Sequence, residues 1–77
     1  MLDISPNPAA GRAAIRVRGM VRGALLQIGV YDVRGRRMAL SFSPDFQWET
    51  RRVPAGLYLV RVSIGKTSAE KKLVVLR

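Results

Sequence analysis

The sequence contains neither cysteine nor histidine, and these two absences exclude several kinds of functional site. Without cysteine, the chain forms no disulfide bond and binds no metal through a thiolate. Without histidine, it lacks the usual general base, the usual pH switch and the commonest metal ligand. Carboxylates are few, and no two lie close enough in sequence to suggest a catalytic pair or a metal cage: Asp3, Asp32, Asp45, Glu49 and Glu70. We therefore expect no enzymatic activity, no cofactor, no metal and no small-molecule substrate.

Long hydrophobic runs are missing as well. Every apolar stretch is far shorter than the ~20 residues that a membrane-spanning helix requires. Residues 1–3 (Met-Leu-Asp) lack the basic leader and the apolar core of a signal peptide. If the domain acts outside the cytoplasm, we expect its export signal to lie on a longer parent chain.

Basic residues, by contrast, are abundant. Lysine and arginine total 14 and the acidic residues total 5, which gives a formal net charge of +9. Such an excess favours contact with an anionic partner, for example nucleic acid, lipopolysaccharide, phospholipid head groups or an acidic protein surface. The alternative interpretation is a solvated sheet face whose arginines contact only water.

The length of 77 residues suits one small domain, so we expect residues 1–77 to fold as a single unit. A chain of this size buries only about 60% of the surface that its unfolded form exposes. Its free energy of unfolding should therefore be modest, on the order of a few kcal/mol.

Strand signals replace helix signals along the chain. No segment keeps the apolar spacing of an amphipathic helix, whereas short alternating segments recur between Gly, Pro and Ser residues. This pattern predicts an all-β fold: a small antiparallel immunoglobulin-like β-sandwich of about seven short strands. The main alternative is an OB-type barrel, but the sequence lacks the helix that such barrels usually carry between strands three and four.

The predicted strands cover residues 2–5, 13–18, 24–31, 36–42, 46–51, 57–64 and 67–76. Turns are predicted at 6–8 (Pro-Asn-Pro), at 19–23, at 32–35 (Asp-Val-Arg-Gly), at 43–45, at 54–56 (Pro-Ala-Gly) and at 65–66 (Gly-Lys).

Three details of this pattern predict more than the presence of a strand. Gly29 interrupts a strong central strand, which indicates a bulge or the close approach of another group. The alternation along 36–42 places Met38, Leu40 and Phe42 on one face. Residues 73–76 are apolar on both faces, which predicts that the sandwich or a partner covers both.

Four motifs follow one another in a fixed order. They are Pro-Asn-Pro at 6–8, Val-Tyr-Asp-Val-Arg-Gly-Arg at 30–36, Pro-Ala-Gly-Leu-Tyr-Leu-Val at 54–60 and Lys-Leu-Val-Val at 72–75. Together they resemble the C-terminal sorting domain of cargo proteins of the type IX secretion system. The resemblance covers essentially the whole chain.

The resemblance implies a role in export. Family members lie at the C-termini of large exported proteins of Bacteroidota and related Gram-negative phyla, which cross the inner membrane by a signal peptide. The folded domain directs the cargo through an outer-membrane translocon. A sortase-like peptidase then removes it and often attaches the cargo to anionic lipopolysaccharide. The domain is thus expected in the periplasm and at the cell surface, as a non-catalytic part of a larger secreted protein.

Two interpretations apply to the residues that match the family motifs. In the first, they form the turns, strands and core of the fold. In the second, they contact a partner. The motif residues are Pro6, Asn7, Pro8, Asp32, Gly35, Arg36, Pro54, Gly56 and Tyr58. The candidate contacts with the translocon lie in the last strand, because an apolar edge strand invites strand addition by a partner. These candidates are Lys71, Lys72, Leu73, Val74, Val75, Leu76 and Arg77.

Two other functions remain open at this stage. The first is a basic binding module for an anionic glycan or, as the less favoured ligand, nucleic acid. The second is an assembly module, since the immunoglobulin-like domain of the flagellar hook-capping protein shares the Asp-x-x-Gly-Arg hairpin and the Gly-x-Tyr strand.

Overall fold

A computed structural model describes residues 2–6, 8–19 and 25–76. Each of the seven predicted strands is present, with ends within two residues of the predicted ones. The strands are β1 (Leu2–Ser5), β2 (Arg12–Val17), β3 (Leu26–Tyr31), β4 (Arg37–Ser41), β5 (Asp45–Glu49), β6 (Gly56–Ile64) and β7 (Thr67–Val75). The predicted turn at 19–23 lies mostly outside the described residues.

The strands form two antiparallel sheets, and these confirm the immunoglobulin-like sandwich rather than a closed barrel. One sheet has the order β1-β2-β5 and the other the order β4-β3-β6-β7. The core lies between them, because alternate residues of each strand point inward. The buried apolar residues are Leu2, Ala9, Ala13, Ile15, Val17, Leu26, Ile28, Val30, Trp48, Tyr58, Val60, Val62, Leu73 and Val75.

The predicted apolar face of strand β4 is wrong. Ala39 lies opposite Val30, and Arg37 lies opposite the next residue, Tyr31, so Met38 is an extra residue in the ladder. Such a bulge breaks the two-residue alternation. Met38 and Ala39 therefore both pack against the core. Leu40, which strict alternation placed with Met38, is instead exposed on the outer face.

The central glycine of β3 marks a close approach, as predicted. A Cβ atom at Gly29 would lie 2.7 Å from Cε1 of the Tyr31 ring. The ring thus lies over the glycine on the outer face of the four-stranded sheet. Arg61 continues this layer, with its guanidinium carbon 5.5 Å from the Tyr31 ring centroid.

The proline-rich corner carries the chain from one sheet to the other. Pro6 follows β1 of the three-stranded sheet through a cis peptide bond. Ala9 then forms a parallel bridge with Val75 of the four-stranded sheet. The Ala9 N–H donates to the Val74 carbonyl at 2.8 Å, and the Leu76 N–H donates to the Ala9 carbonyl at 2.7 Å. Ala9, which follows the first motif, thereby occupies the edge of the last strand at residues 74–76, where strand addition by a partner was expected.

The sandwich covers only one face of residues 73–76, so of the two predicted ways of covering both faces, the sandwich or a partner, only a partner remains for the outer face. Leu73 and Val75 point into the core and are fully buried. Val74 and Leu76 point away from it and are 40% and 47% exposed. The exposed pair leaves room for a partner on the outer face.

Candidate recognition surface

The four family motifs, separate in sequence, meet at one end of the sandwich. The hairpin at 32–36 and the turn at 54–56 line a common groove of about 340 Å³. Gly56, which begins β6, pairs with Val75, and Val75 in turn bridges to Ala9 beside the proline-rich corner. We call this region, made of residues 6, 8–9, 32–36, 54–58 and 73–76, the motif end.

The hairpin of the motif end is built around the carboxylate of Asp32. Its oxygens accept hydrogen bonds from the Arg34 N–H, the Arg36 N–H and Nε of Arg36, each at 2.9 Å. The Gly35 N–H closes the turn on the Asp32 carbonyl at 3.0 Å, and Gly35 has a φ of 85°, which glycine adopts readily.

These contacts also set the charge state of Asp32. The Arg36 N–H, followed by the Arg36 guanidinium and the Arg34 N–H, holds the pKa of Asp32 below its ordinary value. Partial burial of the carboxylate raises the pKa, but by less than the hydrogen bonds lower it. Asp32 is thus an ionised structural anchor of the turn, which is one of the two interpretations given for the motif residues.

Tyr58 and Gly56 likewise have structural roles. The Tyr58 ring is buried and meets the Trp48 ring edge to face, with centroids 5.2 Å apart. Its hydroxyl donates to the Pro54 carbonyl at 2.6 Å and so ties the start of β6 to the preceding turn. Gly56 takes a φ of 148°, in the region that favours glycine.

The structure separates the candidate contacts of the last strand into two sets. Leu73 and Val75 are part of the core and cannot meet a partner while the domain is folded. Val74 and Lys72 lie on the outer face of the sheet, opposite Leu57 and Leu59. Lys71 lies opposite the buried Val60 on the inner face, yet it is exposed because the sandwich is open at this edge. Asn7 and Arg77 lie outside the described residues.

An exposed apolar surface completes the motif end. We call its members the apolar strip: Val33, Leu57, Val74 and Leu76. Leu57 and Val74 are directly opposite each other on β6 and β7, and each is 40% exposed. Sequence reasoning did not select Leu57. The alternation along β6 places it on the same strand face as the polar residues Arg61 and Ser63, and an apolar side chain on such a polar face indicates a candidate contact.

The acidic side chains of the domain all lie next to arginines. Each of the five carboxylates lies within 4 Å of an arginine nitrogen, as in the pairs Arg16–Asp45, Arg18–Asp3, Arg36–Asp32, Arg51–Glu49 and Arg61–Glu70. The positive excess is therefore carried by the other basic residues. Among these, Arg34 and Arg37 lie in or beside the motif-end hairpin.

This arrangement presents features that suit binding of a partner. Among residues 2–6, 8–19 and 25–76, acidic side chains form no group that could hold a metal ion. No helix in this part of the chain is long and apolar enough to cross a membrane. What the surface offers is an apolar strip, a shallow groove and several arginines.

The fold and this surface define a small immunoglobulin-like module with an exposed recognition end. The chain belongs to the secretion system C-terminal sorting domain family, whose model matches residues 3–76. It is therefore a type IX secretion system sorting domain, as the motifs predicted. This family is one of sorting signals and not of catalysts, and membership implies a cargo protein that is secreted or displayed at the cell surface.

A solved structure supports the fold independently. The chain is similar to part of PorZ, an essential bacterial surface component of the type IX secretion system of Porphyromonas gingivalis, with a TM-score of 0.81 and 21% identity. The match covers 99% of this chain and 11% of the PorZ chain. The comparison with curated proteins finds no match.

Proposed function

We propose that residues 1–77 act as one sorting unit, which directs a larger cargo protein through the outer-membrane translocon of the type IX secretion system. The translocon reads the folded domain at its motif end. The contacts are made by the apolar strip, chiefly by Val74 of β7 and by Leu76, which follows that strand. After transport, a sortase-like peptidase releases the domain from the cargo.

The convergence of the four motifs on one end of the sandwich is the observation that carries this proposal. Most of the motif residues hold turns and core contacts together, as Asp32 and Tyr58 do. Their combined product is a surface on which Leu57 and Val74 are exposed side by side. A receptor that recognises this surface selects for a folded domain, because residues of four distant segments must be in place to form it.

The proposal is tested with a reporter protein that carries an inner-membrane signal peptide and this domain at its C-terminus. In a host with the type IX system, we expect the reporter in the medium or on the cell surface. In the same host without the translocon, or without the domain, we expect it in the periplasm. Retention of the full fusion in the periplasm, or release without the translocon, would contradict the proposal.

Binding of an anionic surface, such as lipopolysaccharide, is a second function that the charge distribution favours. All five acidic side chains are engaged by arginines, and the exposed arginines Arg34 and Arg37 lie outside these pairs, where they could meet phosphate groups. Binding to lipopolysaccharide vesicles should then weaken steeply as salt is raised, because screening and counterion release govern such contacts. Binding that is absent at low salt, or insensitive to salt, would exclude this function.

A further inference from the structure

Strand β4 is an edge strand that carries no charge after its first residue. The sheets have four edge strands, namely β1, β5, β4 and β7. Charged residues lie within three of them: Asp3 in β1, Asp45 and Glu49 in β5, and 70–72 (Glu-Lys-Lys) in β7. In β4, only the first residue, Arg37, is charged, and the next charge in sequence is Asp45. Edge strands usually carry charges, prolines or covering segments that prevent pairing with other chains.

The side chains on this edge are also apolar and accessible. Leu40 and Phe42 are 37% and 68% exposed, and Leu25 is the most exposed large apolar side chain of the described residues. Phe42 and Leu25 line a groove of about 250 Å³ together with Gln27 and Ser63. Leu40 and Phe42 are two residues apart, so their side chains lie on the same face of the sheet. There they provide the side-chain contacts that an added strand requires.

The charge near this edge indicates the chemistry of the occupant. Arg37 opens the strand, and Arg34 lies in the hairpin that precedes it. Neither arginine is the partner of a carboxylate in the ion pairs described above. An added strand with a carboxylate at the Arg37 end and apolar side chains over Leu40 and Phe42 would match both features.

We propose that β4 binds an extended segment of a partner protein by strand addition, and that this segment alternates apolar residues and carries acidic residues at its ends. The backbone of the segment pairs with the open edge of β4. Its apolar side chains cover Leu40 and Phe42, and its terminal carboxylate pairs with Arg37. A second copy of the domain is a poorer occupant, because each copy has a formal net charge of +9.

The apolar part of this site is distinct from the apolar strip of the motif end, although Arg34 belongs to the hairpin at 32–36. The apolar strip lies on β6, β7 and the hairpin at 32–36, whereas Leu25, Leu40 and Phe42 lie on the β4 side and towards the opposite end of the same sheet. Loss of binding at β4 and loss of secretion through the motif end are therefore separate outcomes. The first is measured on the purified domain and the second in cells.

The test uses ¹⁵N-labelled domain and the blocked peptide Glu-Thr-Val-Thr-Val-Thr-Glu. We expect chemical-shift changes and slower amide exchange along residues 37–42. The peptide with lysine in place of both glutamates should bind at least about tenfold more weakly, a difference of about 1.4 kcal/mol. Equal affinity for the two peptides, changes confined to β7, or no change at millimolar peptide would overturn the proposal.

Two matched variants distinguish strand addition from nonspecific binding of the peptide. Leu40→Lys places a charge on the outer face of β4 and should weaken binding of the acidic peptide, although it adds a positive charge. Ser68→Lys makes the same change of charge on the outer face of edge strand β7 and should leave binding unchanged. Equal binding by Leu40→Lys and the unmodified domain, or dimerisation of the unmodified domain through β4, would contradict the assignment.

Discussion

Individual residues of the motif end serve mainly to stabilise the fold. Tyr58 fills the core with its ring and ties the turn at 54–56 with its hydroxyl, and Asp32 holds three donors of the following turn. Both side chains belong to family motifs, yet neither is placed to be the principal contact of a receptor. Substitutions that keep their structural contacts should therefore keep function.

Tyr58→Phe tests this structural role directly. The change removes the hydrogen bond to the Pro54 carbonyl and keeps the buried ring. We expect a loss of about 1 kcal/mol in the free energy of unfolding. In a domain of this size, such a loss lowers Tm by roughly 4–8 °C.

Tyr31→Phe is the matched control for Tyr58→Phe, because the Tyr31 ring lies on the outer face and its contact with Arg61 involves the ring. Its effect should stay within about 0.5 kcal/mol. An unchanged Tm for Tyr58→Phe, or equal effects of both substitutions, would show that the Pro54 contact does not stabilise the domain.

The ionisation of Asp32 gives a pH-dependent prediction. Its pKa in the folded domain lies below the ordinary value of 3.8, so the unfolded chain takes up this proton first as pH falls. The ionised Asp32 therefore makes its full contribution to the free energy of unfolding above pH 3.8. This contribution is lost as pH falls through the lower, folded-state pKa. Asp32→Asn should melt below the unmodified domain near neutral pH, and thermal melts should converge in acid below the folded-state pKa. A constant difference in Tm across this range would contradict the assignment.

At the scale of strands, edge protection explains the polar first half of β7. Lys71 occupies an inner-face position opposite Val60, where alternation alone would place an apolar residue. An inward-pointing charge on an edge strand opposes pairing with another chain. The same strand therefore combines a protected first half with an exposed apolar second half.

Lys71→Val should keep the fold, since it creates an apolar pair with Val60, but it should promote self-association. Analytical ultracentrifugation over a range of concentrations measures this effect. Lys66→Val is the control. It removes one lysine charge at a position in the turn between β6 and β7, outside the inner face, and should behave like the unmodified domain. Equal association by both variants would attribute the effect to net charge rather than to the edge.

The strands and turns were predictable because their signals are local. Alternation located β2, β3 and β6, and the Asp-Val-Arg-Gly and Gly-Lys turns lie where they were predicted. The bulge at Met38 was not predictable, since it depends on how β4 pairs with β3 and leaves no local sequence signal. The bridge from Ala9 to Val75 joins opposite parts of the chain, and the motif end depends on that bridge. The motifs were thus recognised in sequence, whereas their convergence required the structure.

The domain as a whole presents two different outer faces. The outer face of the three-stranded sheet is polar, with the pairs Arg16–Asp45 and Arg18–Asp3 on it. All the large exposed apolar side chains of the described residues belong to the four-stranded sheet and the segments next to it. Partner contacts should therefore concentrate on that sheet and its borders, with the motif end at one corner and the open edge of β4 at another.

Removal of the last strand would be a poor test of recognition, because Leu73 and Val75 are core residues and the shortened domain should unfold. A single charge on an outward-facing residue avoids this difficulty. Val74 and Ser68 lie on the same strand and the same outer face, and only Val74 belongs to the apolar strip. Each accepts a glutamate without entering the core.

Secretion of the reporter fusion with Val74→Glu, compared with Ser68→Glu, is the most direct test of recognition at the motif end. Thermal melts of both purified domains first establish that each variant is folded. We predict that Val74→Glu lowers the secreted fraction about tenfold, as the loss of about 1.4 kcal/mol of recognition free energy would do, and raises the periplasmic fraction. Ser68→Glu should be secreted normally. Normal secretion of folded Val74→Glu, or equal loss in both variants, would contradict recognition through the motif end.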